Sequence, residues 1–184
     1  MRYPEGHKES VRASIVASAA TALRRHGLDG VSIPALMKKA GLTHGGFYAH
    51  FQSRDELVAE AVMAAAEGTG ARVLSKDIGD LDATLRVYLS KDHVDHPELG
   101  CVLAALGSEG QRQHGVVRRA FARAAQGFVR LVQEKMPETK DRRQGPSDAA
   151  LRLSAQMIGA VVLARLVDDD ALAGRILRAA ATSP

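Results

Sequence analysis

The chain has 184 residues and a formal net charge of +4, and 46% of it is hydrophobic, enough to bury the core of one ordinary domain or two small ones. Alanine is abundant, with 31 residues against three Tyr, four Phe and no Trp, a composition that favours helices and argues against an all-β fold. The single cysteine excludes an internal disulfide framework and a four-cysteine zinc site. We see neither a secretory signal nor an apolar run long enough for a membrane span, so we expect a soluble, cytoplasmic protein without membrane contact.

The positive charge is concentrated in the first third of the chain. Residues 1–54 contain eight Lys or Arg and three acidic side chains, a net +5, whereas the remaining 130 residues sum to −1. A basic N-terminal module on a neutral body is typical of a protein that binds a polyanion through that module. An ordinary solvated surface can carry the same charge, so the charge indicates a polyanion-binding module only together with the predicted helices.

The N-terminal residues predict one long helix followed by two short ones. Apolar residues recur with a period of 3.6 over 8–26, and Gly27 follows the last turn, as at a helix C-terminus. Ser32 is placed to cap a short helix whose first turn contains Pro34. After a glycine-containing break, Thr43 is placed to cap the second short helix.

Longer helices follow from residue 53 onward. Ser53 and Glu56 have the S-x-x-E spacing of a capping box at the start of a long helix. Helical periodicity continues to the end of the chain, with one loop predicted over 93–100. The later predicted helices are 81–91, 101–109, 116–136, 147–167 and 171–181. We therefore predict an all-α fold.

Two short helices joined by a glycine turn, behind a longer helix, match the helix-turn-helix arrangement of DNA-binding proteins. In that arrangement the second short helix, the recognition helix, lies in the major groove. Gly41 tolerates the backbone angles of the turn, and Leu42 can fill the space between the helices. The pair Gly45 and Gly46 permits close backbone approach to DNA. The predicted partner is therefore double-stranded DNA.

Residues 8–60 resemble the DNA-binding region of the tetracycline-repressor (TetR) family of bacterial transcriptional regulators. The resemblance covers about 50 residues in the family's order and spacing. Its most specific part is Phe-Tyr-x-His-Phe over 47–51, followed by Ser-Arg-Asp-Glu-Leu over 53–57. The other matching stretches are Ile15-Val-Ala-Ser-Ala-Ala-Thr-Ala-Leu23, Gly27-Leu-Asp-Gly-Val-Ser32 and Gly41-Leu-Thr43.

The resemblance implies roles for individual residues. It implies phosphate contacts, helix starts and groove-facing positions at Ser32, Thr43, His44, Gly45, Gly46, Tyr48, His50 and Arg54. The two adjacent glycines depart from many relatives because they offer no side chain for base contacts. Specificity is therefore expected to depend on His44, Thr43 and DNA shape. Phe47 and Phe51 are expected in the core, and Tyr48 has the alternative of a half-buried packing residue.

The resemblance also implies an N-terminal three-helix DNA-binding domain over 1–52 and a helical effector-binding and dimerisation domain over 53–184. The residue types and helix faces give candidates for an effector pocket, with plain core packing as the alternative for each one. These candidates are Met63, Tyr88, Cys101, Leu106, Phe121, Phe128 and Met157. A small and apolar face predicts a homodimer seam, with the core of a monomer as its alternative. The seam candidates are Ala155, Gly159, Leu163 and Leu166.

Two features have alternative interpretations. Cys101 follows a glycine at the start of a predicted helix, where amide groups can lower the pKa of a thiol, so sensing of oxidants or electrophiles is possible. A buried, inert cysteine is the commoner interpretation. His93 and His96 have the spacing of a metal-binding pair with Asp95 between them, but no further ligand is nearby in sequence, so we expect solvated side chains and no metal.

We therefore expect a ligand-responsive, homodimeric DNA-binding regulator, a repressor that releases a palindromic operator when a small molecule binds. Transcriptional activation by the same fold stays open. No catalytic motif or cofactor site is recognisable, so we expect neither an enzyme nor a bound cofactor. A helical enzyme or binding protein with a vestigial helix-turn-helix would lack the basic footprint. An architectural DNA-binding protein would not need more than 100 residues beyond the DNA-binding region.

Overall fold

A computed structural model describes residues 6–73, 79–136 and 145–182, and every regular element within these ranges is helical. The α-helices, α1 to α9 in chain order, are His7–His26, Ile33–Lys39, Arg54–Val73, Leu81–Tyr88, Lys91–Asp95, Val102–Gly110, Gly115–Lys135, Asp148–Leu166 and Asp170–Ala181. Two 3-10 helices, His44–Ala49 and Pro97–Leu99, interrupt this series. The predicted all-α fold is confirmed.

The N-terminal helices form the predicted helix-turn-helix around an apolar core. At the end of α1, Gly27 has a φ of 80°, a left-handed conformation that glycine adopts without strain. Gly41 has a φ of 73° in the turn after α2, where Leu42 N–H donates to the Met37 carbonyl at 2.8 Å. The core of this region includes Ile15, Leu23, Leu36, Met37, Phe47, Phe51 and Leu57.

Helix α3 begins with the Ser53 half of the predicted capping box and connects the N-terminal region to the rest of the chain. Glu56 N–H donates to Ser53 Oγ at 3.1 Å, and the Glu56 carboxylate accepts a hydrogen bond from Gln52 N–H at 2.6 Å. The helix extends over 20 residues to Val73 and packs against both α1 and α7. One continuous helix therefore connects the body to the region beside the recognition helix.

The segment predicted as a loop over 93–100 is instead partly helical. Ser90 Oγ accepts a hydrogen bond from His93 N–H at 3.2 Å and caps the short helix α5, and a 3-10 turn follows at Pro97–Leu99. This geometry buries the side chain of His93, which is 2% exposed. The expectation of a solvated His93 is therefore wrong, because the cap turns the chain inward at this point.

Helices α8 and α9 pack against each other at the end of the chain. Asp169 Oδ1 caps α9, accepting hydrogen bonds from the N–H groups of Ala171 and Leu172 at 2.8 and 3.0 Å. By length and mean hydropathy, 1.4, α8 is able to cross a membrane, which the sequence analysis did not anticipate. One such helix is weak evidence, because core helices of globular proteins share these properties and 39% of the apolar window is buried here.

Candidate nucleic-acid interface and cavity

The recognition helix, His44–Ala49, is a short 3-10 helix with one buried and one exposed side. Phe47 and Phe51 are each 1% exposed and stack with ring centroids 5.3 Å apart, so both lie in the core as predicted. Tyr48 is 69% exposed and meets the Phe47 ring edge-on at 5.3 Å. The buried pair thus fixes the orientation of the helix, and Tyr48 faces outward. The alternative of a half-buried Tyr48 is therefore excluded.

The 3-10 geometry changes the role of Thr43 at the start of this helix. Gly46 N–H donates to the Thr43 carbonyl at 3.0 Å, the i to i+3 bond of a 3-10 helix. The N–H of Gly46, which would donate to a capping side chain, is therefore already used by this backbone bond. The Thr43 hydroxyl accepts no capping hydrogen bond. The predicted side-chain cap is therefore wrong, although Thr43 does occupy the N-cap position and is exposed.

The outward side of the recognition helix is small at its start and aromatic at its end. His44 and Gly45 are exposed, and Gly46 is half-buried. With three residues per turn, Gly45 and Tyr48 lie above one another on the same face. The missing side chain at Gly45 leaves the backbone and the ring of Tyr48 open to a docked surface.

Three further predicted residues lie just after the recognition helix and at the starts of α2 and α3. His50 is half-buried, and burial, followed by the nearby charges of Lys8 and Arg12, lowers its pKa. The Nδ1 atom of His50 is buried and makes no hydrogen bond. Arg54 is half-buried and donates to the Leu28 carbonyl, so its guanidinium also holds the turn after α1. Ser32 is exposed at the start of α2, where its Oγ accepts from Ala35 N–H at 3.4 Å.

Arg12 is a structural residue of this region that the sequence analysis missed. Its Nε donates to the His50 carbonyl at 3.1 Å, and its Nη2 donates to Glu56 Oε1 at 2.9 Å. The guanidinium also pairs with Glu60, which raises the pKa of Arg12, and lies 4.5 Å from the centre of the Phe51 ring. Arg12 therefore joins α1, the end of the recognition helix and the start of α3. The spacing of Glu56 and Glu60 on one helix face was a signal, but their partner is distant in sequence.

Polar contacts also connect the helix-turn-helix to the body. Arg24 Nη1 in α1 donates to the Gly100 carbonyl at 3.0 Å, and the Thr69 hydroxyl in α3 lies 3.0 Å from the same oxygen. Leu28 N–H, in the turn after α1, donates to Glu109 Oε2 of α6 at 2.8 Å. The start and the end of α6 are therefore both connected to the DNA-binding region.

A cavity of about 320 Å³ lies between α3, α7 and the start of α6. Of the predicted pocket residues, Met63, Cys101 and Phe128 line it. The other four, Tyr88, Leu106, Phe121 and Met157, lie in the apolar cores and do not line this cavity. A helical apolar face alone does not distinguish these two environments, because both are lined by the same residue types.

His93 holds the chain at one side of this cavity. Its Nε2 accepts a hydrogen bond from Cys101 N–H at 2.9 Å, so the ring proton is on Nδ1, which lies 2.6 Å from the Tyr88 carbonyl oxygen. Burial lowers the pKa of His93 to about 4. The Cys101 side chain is 2% exposed, whereas reactive thiols are usually partly accessible, so the oxidant-sensing alternative is not favoured. Within the described residues no group of side chains has the composition of a metal site.

The predicted dimer residues form the outward stripe of α8. Leu163 and Leu166 are 54% and 74% exposed, Ala155 is exposed, and Gly159 is half-buried. Exposed leucines of this size on one helix are typical of an interaction surface.

Comparison with known proteins identifies the family. A model described as bacterial regulatory proteins, tetR family, matches residues 15–61, and a model of the tetracyclin repressor-like C-terminal domain matches residues 78–180. Comparison with curated protein sequences gives no match.

Solved structures are similar over nearly the whole chain. The reduced form of E. coli NemR has a TM-score of 0.73 at 18% identity, covering 95% of this chain and 98% of NemR. A TetR transcriptional regulator from Chloroflexus aurantiacus has a TM-score of 0.69 at 25% identity, with coverages of 95% and 93%. FadR from Bacillus subtilis, in complex with stearoyl-CoA, has a TM-score of 0.56 at 14% identity, with coverages of 94% and 98%. Since the two family models together match most of its length, the chain belongs to the TetR family of DNA-binding, ligand-responsive transcriptional regulators.

Proposed function

We propose that the chain is a homodimeric repressor that binds a palindromic operator and releases it when a small molecule occupies the cavity. The observation that carries the DNA-binding part is the recognition helix, whose Tyr48 is 69% exposed above two buried phenylalanines. This arrangement presents polar groups at a fixed position on a basic module. We place the division between the DNA-binding domain and the body at about residue 53, where α3 begins.

In the proposed complex the exposed side of the recognition helix enters the major groove. Thr43 and Tyr48 have exposed hydroxyl groups suited to phosphate, and His44 presents a ring to the base edges. Gly45 and Gly46 allow the backbone to approach. We also place three residues beside this face in the complex, Ser32, His50 and Arg54. Each makes a hydrogen bond within the protein, so it would position the helix as well as approach the backbone of the DNA.

The dimer is supported by α8. Leu163 and Leu166 are exposed on the helix in which the sequence predicts the seam, and a second copy related by a two-fold axis would cover them. Two recognition helices about 34–36 Å apart would then contact successive major grooves on one side of the DNA. This geometry requires inverted half-sites.

Release of DNA is supported by the shared wall between the cavity and the DNA-binding region. Thr69 on α3 and Cys101 before α6 both line the cavity, and the intervening carbonyl of Gly100 accepts from Arg24 of α1. A ligand that prefers one arrangement of α3 and α6 would shift the population of DNA-competent dimers. The complex of FadR with stearoyl-CoA supports a ligand-binding body in a related fold.

We further propose that the protein acts in the cytoplasm, where its DNA target is, and that it regulates rather than catalyses. Membership of a family of DNA-binding regulators supports both proposals. Gene repression rather than activation is the proposed outcome of operator binding. A reporter gene placed behind the operator would show lower expression with the protein present, and higher expression would indicate an activator.

The Tyr48→Phe variant tests the proposed contact surface. The change removes one hydroxyl without changing the ring that packs on Phe47, so stability should be unchanged. Loss of one hydrogen bond to phosphate costs about 0.5–1.5 kcal/mol per head, and a dimer has two heads, so operator affinity should fall by a factor of about 5 to 150. Fluorescence anisotropy on a DNA site selected from a random pool by the wild-type chain measures this.

The matched control for a surface change is His114→Ala, because His114 is exposed at the start of α7 in the body. It should bind the selected site like the wild type. Unchanged affinity of the Tyr48→Phe variant, with its helical content retained, would contradict the proposed phosphate contact.

A further inference from the structure

The cavity has two glycines in its walls, Gly70 in α3 and Gly127 in α7. Both lie inside helices, where glycine destabilises the helix relative to alanine. Neither has a positive φ, so backbone conformation does not require glycine at either position.

The space beside Gly127 is empty. A Cβ atom built at Gly127 meets no atom within 4 Å, whereas one at Gly70 would lie 3.2 Å from Leu131 Cδ1. Close packing therefore accounts for Gly70 but not for Gly127. Since Gly127 lines the cavity and a Cβ there meets no atom, a larger side chain at this position has room to extend into the cavity.

The chemistry of the walls limits what can occupy this volume. Most lining side chains are apolar, and the two charged ones, Glu67 and Arg123, are exposed and opposite in sign. The buried polar group is Thr69, whose Oγ1 lies 2.9 Å from the Ala65 carbonyl oxygen and 3.0 Å from that of Gly100, so its proton is already engaged. Since Glu67 and Arg123 are exposed, an ionised group among the buried apolar side chains, away from these two charges, would be desolvated without a counter-charge.

We propose that the cavity binds an uncharged, compact, mainly apolar molecule and that Gly127 sets the upper limit of its size. The inference rests on the proposed effector function of this cavity and adds the chemical class of the ligand. A volume of about 320 Å³ holds roughly ten water-sized groups at ~30 Å³ each, comparable to a two-ring aromatic molecule. Phe128 in the wall provides a ring for such a ligand to pack against.

The charge limit is tested with two probes of nearly identical shape, 1-naphthamide and 1-naphthoate. The first is neutral and the second is an anion at pH 7. Equilibrium dialysis with the full chain, read by naphthalene absorbance, gives the two dissociation constants. The neutral amide should bind at least tenfold more tightly than the carboxylate. Equal or tighter binding of 1-naphthoate, or no binding of 1-naphthamide, would overturn the proposed class.

The size limit is tested by filling the space at position 127. Gly127→Leu should weaken 1-naphthamide binding at least tenfold, and Gly127→Ala should weaken it less. The matched control is Gly68→Leu, since Gly68 is an exposed glycine inside α3 with nothing within 4 Å of its Cβ and does not line the cavity. Its affinity should equal that of the wild type.

Circular dichroism on each variant establishes that the helices are formed, and the alanine variant keeps the test informative where leucine disturbs packing. Wild-type affinity in both Gly127 variants would overturn the role of this residue.

Operator binding by the same preparations separates this inference from the proposed function. Weaker operator binding by the wild type at saturating 1-naphthamide supports both. If the amide binds in the predicted way and operator affinity is unchanged, the ligand class stands and release through this cavity is contradicted. If the operator binds and the amide does not, the ligand class fails while DNA binding stands.

Discussion

His93 shows how much one buried polar residue determines in this protein. Its imidazole accepts from Cys101 N–H and bonds the Tyr88 carbonyl, so it holds the chain between α4 and α6 at one side of the cavity. The sequence placed it in a polar loop because its neighbours are Asp92 and Asp95. Its burial depends on the cap at Ser90 and on the packing of distant helices. The packing of distant helices is not encoded in the local sequence.

Burial of a neutral His93 predicts a loss of stability in mild acid. The pKa of His93 is about 4 in the folded chain and near 6.5 when unfolded, so its stabilisation is complete above pH 6.5 and is lost as the pH falls toward 4. Between pH 7 and pH 5 this contribution should fall by about 2 kcal/mol. Urea unfolding at both pH values, in the wild type and in His93→Gln, measures it.

The glutamine variant should be less stable at pH 7 but should lose less stability than the wild type on going to pH 5. Val94→Ala is the control, because it removes apolar packing beside His93 without removing a titratable group. It should lower stability at both pH values and keep the wild-type difference between them. An unchanged pH dependence in His93→Gln would contradict the assignment.

Arg12 predicts a measurable coupling between α1 and α3. Removing it leaves Glu56 and Glu60 adjacent without a cation and leaves the His50 carbonyl without its donor. The pair is about one third exposed, so we expect a coupling energy with Glu60 of only about 1 kcal/mol. Urea unfolding of Arg12→Met, Glu60→Gln and the double variant gives this energy. Additive effects of the two substitutions would show that they do not interact.

The sequence predicted the positions of the helices better than it predicted their geometry. Caps at Ser32, Ser53 and Asp169 and the glycine turns at Gly27 and Gly41 are local signals, and the structure contains all of them. The recognition helix is predicted in position but not as a 3-10 helix. Its form depends on how Phe47 and Phe51 fill the core, which is a tertiary effect.

The cavity could be predicted only in part, for a related reason. Met63, Cys101 and Phe128 were identified from residue type and helix face, but so were four residues that pack in the core. Gly127 could not be assigned to the cavity from the sequence, because an isolated glycine in a helical pattern does not indicate which side of the helix is open. Only the relative placement of α3 and α7 shows that the space beside it is open.

The exposed leucines of α8 predict a dimer interface, and a charged side chain placed in that interface should dissociate the dimer. Leu166→Glu places a carboxylate on the most exposed leucine of the stripe, so the dimer should dissociate without loss of the monomer fold. Light scattering after gel filtration should give twice the 19.6 kDa chain mass for the wild type and a value near 19.6 kDa for the variant.

The control for this change is Val116→Glu, an exposed apolar position (41%) in the first turn of α7. A carboxylate there is compatible with the helix N-terminus, and the protein should stay dimeric. A Leu166→Glu protein that retains twice the chain mass would contradict the assignment of the seam to α8.

The positive charge of the chain is concentrated in its DNA-binding region. A net +5 over residues 1–54 predicted a polyanion-binding module, and the described part of this segment, residues 6–54, contains the helix-turn-helix region that α3 joins to the body. Family membership now identifies that polyanion as DNA. What charge alone did not indicate was which side of the module faces DNA, because this depends on the burial of Phe47 and Phe51.

We propose above all that two copies of the exposed face of the recognition helix contact one symmetric DNA site. Sequences selected from a random DNA pool by the wild type and by His44→Ala test this proposal. We expect two inverted half-sites with centres about 34–36 Å apart along the DNA, and a loss of base preference at one position in each half-site for His44→Ala. A selected sequence without two-fold symmetry, or the same base preferences in both proteins, would contradict it.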